Sequence, residues 1–74
     1  MTIRRILAVN LRRLRKEAGV SQEELADRAE IDRTYISALE REVYAASIDV
    51  LDRLAKALRV EAADLLKRQA ERRK

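Results

Sequence analysis

Two helix-start signals standing close together constrain this chain more than any other feature. Ser21 and Asp32 each precede an apolar-periodic run, and the interval between them holds little more than two turns of helix. Ser21-Gln22-Glu23-Glu24 reads as a capping box: the serine hydroxyl accepts from the Glu24 amide, and the Glu24 carboxylate reaches back to the Ser21 amide. Val20 and Leu25 flank it as a hydrophobic staple, and Ile31 and Ile36 flank Asp32 in the same way. Two short helices, each with its own cap and separated by about three residues, form a tight helical corner.

The rest of the chain is also helical in pattern. Ile3, Ile6, Leu7, Leu11, Leu14 and Ala18 recur at three- and four-residue spacing, and Gly19 follows as a left-handed residue that closes the helix. The second helix turns Leu25, Ala26 and Ala29 inward. The third is predicted over about 33–41, with Ile36, Leu39 and Tyr35 inward, followed by a looser stretch over 42–46. Ser47 caps a fourth helix whose inner residues are Ile48, Leu51, Leu54, Ala55 and Leu58. A fifth, after Arg59-Val60, carries Ala62, Leu65 and Leu66. No repeat or linker divides the chain. The expectation is an all-α fold, a compact five-helix domain over residues 1–66. A basic tail over 67–74 either frays or continues helix five.

Composition removes several classes of function. The chain has no Cys and no His, which excludes zinc fingers, disulfide scaffolds, thiol catalysis and the commonest general base. With no phosphate-cradling glycine loop either, neither catalysis nor a metal or cofactor is expected. No apolar run approaches the ~20 residues of a membrane span, and the start lacks a signal-peptide pattern, so the simplest location is the cytoplasm. The net charge is +4, but its placement is uneven. Arg4, Arg5, Arg12, Arg13, Arg15 and Lys16 crowd the first helix without an acid before Glu17. The tail holds Lys67, Arg68, Arg72, Arg73 and Lys74 against Glu71, and the segment between is net acidic. Any polyanion-binding surface in the middle must therefore work by local placement of groups rather than by bulk charge.

The third helix supplies such a placement. Its outer face reads Arg33, Thr34, Ser37, Ala38 and Arg41, small and polar groups alternating with arginine. A merely solvated helix more often carries Glu and Lys pairs. A helix lying in a major groove needs small residues for close approach and a few long donors.

Leu14-Arg15-Lys16-Glu17-Ala18-Gly19-Val20-Ser21-Gln22-Glu23-Glu24-Leu25-Ala26 resembles the opening of the phage-repressor (Xre/Cro) helix-turn-helix family. Tyr35-Ile36-Ser37-Ala38-Leu39-Glu40-Arg41 resembles its recognition helix, and Leu51-Asp52-Arg53-Leu54-Ala55-Lys56-Ala57-Leu58 and Ala63-Asp64-Leu65-Leu66 its last two helices. The resemblance implies a repressor-like DNA-binding domain with the helix-turn-helix formed by helices two and three. It implies that Arg33, Thr34, Ser37 and Ala38 read base edges, Arg33 foremost, since a guanidinium pairs with guanine O6 and N7. It implies that Gln22 holds a DNA phosphate, and that Tyr35, Arg41, Tyr44 and Arg15 are further backbone contacts. Arg15 and Glu40 match an ion pair that braces the recognition helix. The implied partner is double-stranded DNA, a palindromic operator bound by a homodimer, with an interface around Val60, Leu65 and Leu66 and no small-molecule effector. The rival reading is a protein-interaction module or antitoxin built on the same fold. Two departures stand out. Glu30 and Glu42 occupy turn positions where the family usually has Gly, and Ala45-Ala46 replaces its Asn-Pro.

Overall fold

A computed structural model describes residues 2–68; Met1 and residues 69–74, which include Glu71, Arg72, Arg73 and Lys74 of the basic tail, lie outside them. Five α-helices follow in order: α1 Ile3–Glu17, α2 Gln22–Ala29, α3 Arg33–Glu40, α4 Ile48–Leu58 and α5 Ala62–Leu66. Helix α5 ends at Leu66, where Lys67 turns to extended backbone (φ −79°, ψ 131°).

Each helix start carries a side-chain device. The Thr2 hydroxyl accepts from the Arg5 amide, Asp32 Oδ1 from Thr34 N at 2.9 Å, and Ser47 Oγ from Val50 N at 3.1 Å. Ser21 and Glu24 form the reciprocal box, both bonds 3.0 Å long. At α5, the Asp64 carboxylate accepts from the Glu61 amide at 3.0 Å.

The helix ends share one solution. After α1, α2, α3 and α4 a residue enters the left-handed region: Gly19 (φ 73°), Glu30 (φ 58°), Glu42 (φ 65°) and Arg59 (φ 61°). At each, two amides close back on the last turn, as in Glu30 N to Asp27 O and Ile31 N to Ala26 O, the Schellman pattern. The next residue is Val20, Ile31, Val43 or Val60, and all but Val43 pack against the core. An apolar contact at that position is the usual companion of the motif.

The core gathers Leu7 and Leu11 of α1, Leu25, Ala26 and Ala29 of α2, Ile36 and Leu39 of α3, Leu54, Ala55 and Leu58 of α4, and Leu65 of α5. Helices α2 and α3 pack on each other, α3 also meets α1, and α4 and α5 close the other side. Burying such side chains supplies roughly 1.5–3 kcal/mol each. Four residues of the predicted apolar stripes are exposed: Ala18, Leu66 and, most of all, Ile3 and Ile48. Ile3 is 55% exposed and Ile48 is 84% exposed. Each is the first residue of its helix, so its side chain stands a turn beyond the neighbours that would cover it.

Asn10 is a polar residue inside the core. It is 1% exposed, and its Nδ2 donates to both Leu65 O and Lys67 O at 2.9 Å. The amide of α1 thereby satisfies carbonyls at the end of α5, which would otherwise lack partners.

Candidate nucleic-acid interface

The corner between α2 and α3 sets the geometry of the site. Glu30 in the left-handed region turns the chain, Ile31 anchors the turn on the core, and Asp32 caps the next helix. Arg33, Thr34, Ser37 and Arg41 then follow at helical spacing on one face, with Arg33, Thr34 and Arg41 exposed and Ser37 half-buried. Arg33 forms no ion pair among the described residues, although acids are plentiful nearby in sequence. Arg41 Nε donates to Ser37 Oγ at 3.3 Å, linking two members of the stripe.

Ala38 does not belong to this face. It is 2% exposed, because α3 packs against both α1 and α2 and leaves only one stripe open. The expected contact of its methyl with a base edge is corrected accordingly.

Behind the face lies a buried carboxylate. The Glu40 side chain is 1% exposed and receives Arg15 bidentately, Nε to Oε2 at 2.7 Å and Nη2 to Oε1 at 3.1 Å. Gln22 Nε2 donates to the same Oε1 at 3.1 Å, and Arg12 Nε stands 3.7 Å from it. Burial pushes the Glu40 pKa up. The hydrogen bonds from Arg15 and Gln22 and the charges of Arg15 and Arg12 outweigh it and hold the carboxyl below its ordinary value. The Arg15 pKa is raised, chiefly by its hydrogen bonds to Glu40.

This cluster separates two roles expected of Arg15. It braces α3 against α1, as the pairing implies. Its third guanidinium nitrogen, Nη1, donates to Val20 O at 3.1 Å, and the side chain is only 12% exposed. With all three nitrogens engaged and little surface, Arg15 is corrected from a phosphate contact to a brace. Gln22 is half-buried at the first position of α2, beside the open helix end. Its contact with Glu40, which sequence spacing did not suggest, orients its carboxamide.

The remaining expected backbone contacts divide. Tyr35 is half-buried against the core, and its hydroxyl donates to Ala45 O at 3.2 Å, so it holds the loop after α3. Tyr44 is 55% exposed and meets Tyr35 edge-on, ring centroids 5.9 Å apart. Of the residues expected at a dimer interface, Leu65 is 0% exposed and closes the monomer core, which corrects that expectation. Val60 packs half-buried, and Leu66 is partly exposed. Among the described residues no group of acids is placed to hold a metal, and no helix is long and apolar enough to cross a membrane.

A short capped helix, a tight corner and a second short helix with an open polar face define a helix-turn-helix. Residues 11–65 match the helix-turn-helix family, and the chain belongs to it. It is 43% identical over 70 residues to a Neisseria hypothetical transcription factor from Neisseria meningitidis, covering 95% of this chain. The chain spans 66% of that relative's length. It is 42% identical over 69 residues to the control protein C.SmaI of Serratia marcescens, covering 93% of this chain and 82% of that one. Among solved structures, the Neisseria transcription factor superposes with a TM-score of 0.86 at 42% identity, covering 89% of this chain and 76% of that chain. The restriction-modification controller protein C.AhdI of Aeromonas hydrophila superposes at 0.81 with 35% identity, covering 84% of this chain and 94% of that one.

Proposed function

We propose that this chain binds double-stranded DNA sequence-specifically and regulates transcription, with α3 in the major groove. The observation that carries the reading is the polar stripe of Arg33, Thr34, Ser37 and Arg41, with Arg33 in no ion pair among the described residues and Gln22 held at the start of α2. Arg33 is the principal base reader, and Thr34 and Ser37 supply shorter donors and acceptors. Gln22, Arg41 and Tyr44 hold phosphates, fixing register without reading sequence. The names of its relatives, a transcription factor and control proteins, support regulation rather than catalysis. The protein acts in the cytoplasm of a bacterial or phage-type host, on the nucleoid when bound.

It binds as a homodimer to a palindromic operator, because one recognition helix covers only a few base pairs. Leu66 and Val60 are the apolar candidates near that interface. Selection of bound sequences from random DNA tests the whole reading. It is expected to return a two-fold symmetric site with half-sites about 34 Å apart. Absence of any enriched sequence, with salt-insensitive binding, would instead favour a protein partner as the main target.

A further inference from the structure

Apart from Arg15 and Arg12, which meet Glu40, the cationic side chains of α1 take no part in the contacts described above. Arg5, Val9, Arg12, Arg13 and Lys16 line an open groove on its outer side, with Glu40 and Glu42 at the edge towards α3. From Arg5 to Lys16 this stripe runs about 16 Å, about the axial rise of five DNA base pairs. Its acids are few and occupied. Glu40 is buried and bound by Arg15, and Glu42 stands 4.0 Å from Arg5. Arg13 pairs within α1 with Glu17 at 3.3 Å. Lys16 is exposed and forms no ion pair among the described residues.

We propose that the outer face of α1 is a second DNA-backbone surface, on which Arg12 and Lys16 contact phosphates flanking the one held by Gln22. The proposal rests on the DNA-binding reading above. Continuity between the surfaces carries it. Arg12 Nε lies 3.7 Å from Glu40 Oε1, and Gln22 Nε2 lies 3.1 Å from the same oxygen. The two side chains are therefore neighbours, fixed to one buried carboxylate. Arg12 keeps 56% of its side chain exposed and lines the groove. Such a surface adds affinity without sequence information and shifts the footprint outward from the recognised bases. A polyanion suits it better than an apolar segment, because Val9, 41% exposed, is the one aliphatic side chain of the groove with substantial exposure.

The test is fluorescence anisotropy with a labelled 30-bp mixed-sequence duplex, titrated at several salt concentrations. The chain is compared with Arg12→Ala/Lys16→Ala, with Arg12→Lys/Lys16→Arg, and with Arg28→Ala/Lys56→Ala, which removes equal charge from α2 and α4. Losing two phosphate contacts is expected to lower the slope of log K against log salt by about 1.8, so that affinity falls about 12-fold less between 50 and 200 mM salt. The charge-preserving pair and the α2/α4 pair are expected to keep the original slope. An unchanged slope in Arg12→Ala/Lys16→Ala overturns the α1 surface and leaves the DNA reading standing, as does an equal drop in the α2/α4 variant. If the unaltered chain binds a labelled poly-glutamate peptide and not the duplex, the DNA reading itself fails. Circular dichroism on every variant shows that the helices persist.

Discussion

Replacing the three left-handed non-glycine residues by glycine is expected to stabilise this domain. Glu30, Glu42 and Arg59 hold φ near +60° (58°, 65° and 61°) while carrying a Cβ. That conformation costs roughly 1–2 kcal/mol per residue for any residue but glycine. Glycine removes the strain but adds unfolded-state freedom worth about 0.4–1 kcal/mol, so the net gain is of order 0.5–1 kcal/mol per site. Little is lost in return. Arg59 and Glu30 form no ion pair among the described residues, and the Glu42–Arg5 contact is a 4.0 Å exposed pair. Such pairs contribute little. Glu30 and Glu42 also place negative charge at the negative ends of α2 and α3, whereas Arg59 suits its helix end. The gains should therefore rank Glu30→Gly and Glu42→Gly above Arg59→Gly. The triple variant should gain about 2 kcal/mol, or roughly 10 °C in Tm for a domain of this size. Gly19→Ala provides the mirror experiment. A Cβ there meets nothing within 4 Å, so its effect isolates the backbone and should be a loss of about 1 kcal/mol. Thermal and urea unfolding followed by circular dichroism measure all of these. A neutral or destabilising Arg59→Gly beside a costly Gly19→Ala would refute the reasoning.

Other outcomes follow from the site and the core. Arg33→Ala should weaken binding to a selected operator by ~1–3 kcal/mol and relax preference at one base position. Gln22→Ala should weaken all sequences alike; identical profiles for the two across a sequence panel would contradict the assigned roles. Glu40→Gln should cost roughly 3 kcal/mol by leaving the Arg15 charge uncompensated, and combining it with Arg15→Met should cost less than the two single losses together. Because the folded Glu40 pKa is lowered, its contribution is present above the ordinary carboxylate range and fades as pH falls through the folded value. Stability should therefore drop less steeply on acidification in Glu40→Gln than in the unaltered chain. Asn10→Asp replaces a buried donor by an acceptor facing two carbonyls, so it should destabilise at neutral pH and recover partly near pH 4, where a protonated carboxyl donates again; equal stability at both pH values would count against this.

The helix starts were legible in the sequence because capping depends on particular side chains. Ser21, Asp32 and Ser47 announce themselves wherever an apolar run follows. The ends were less so. Gly19 is the one that glycine announces; the other left-handed residues, Glu30, Glu42 and Arg59, give no local signal, although the β-branched apolar residue after each marks the motif. Residue burial on the short helices was also hard to place. Over the eight residues of α3 and five of α5, periodicity does not fix how far the inner face extends, and so Ala38 and Leu65 were assigned to surfaces they do not reach. Asn10 and the Gln22–Glu40 contact were invisible for a different reason. Their partners lie 55 and 18 positions along the chain, beyond any local pattern.

The bond between Asn10 and the end of α5 has a consequence for synthesis. A ribosome makes α1 before α5, and the carbonyls of Leu65 and Lys67 emerge after the other four described helices. One amide therefore joins residues 55 and 57 positions apart, and the chain between them must close as a loop before either bond can form. The docking of α5 on α1 thus carries the entropy of closing nearly the whole domain, which makes it a non-local step in a fold built otherwise from short helical contacts.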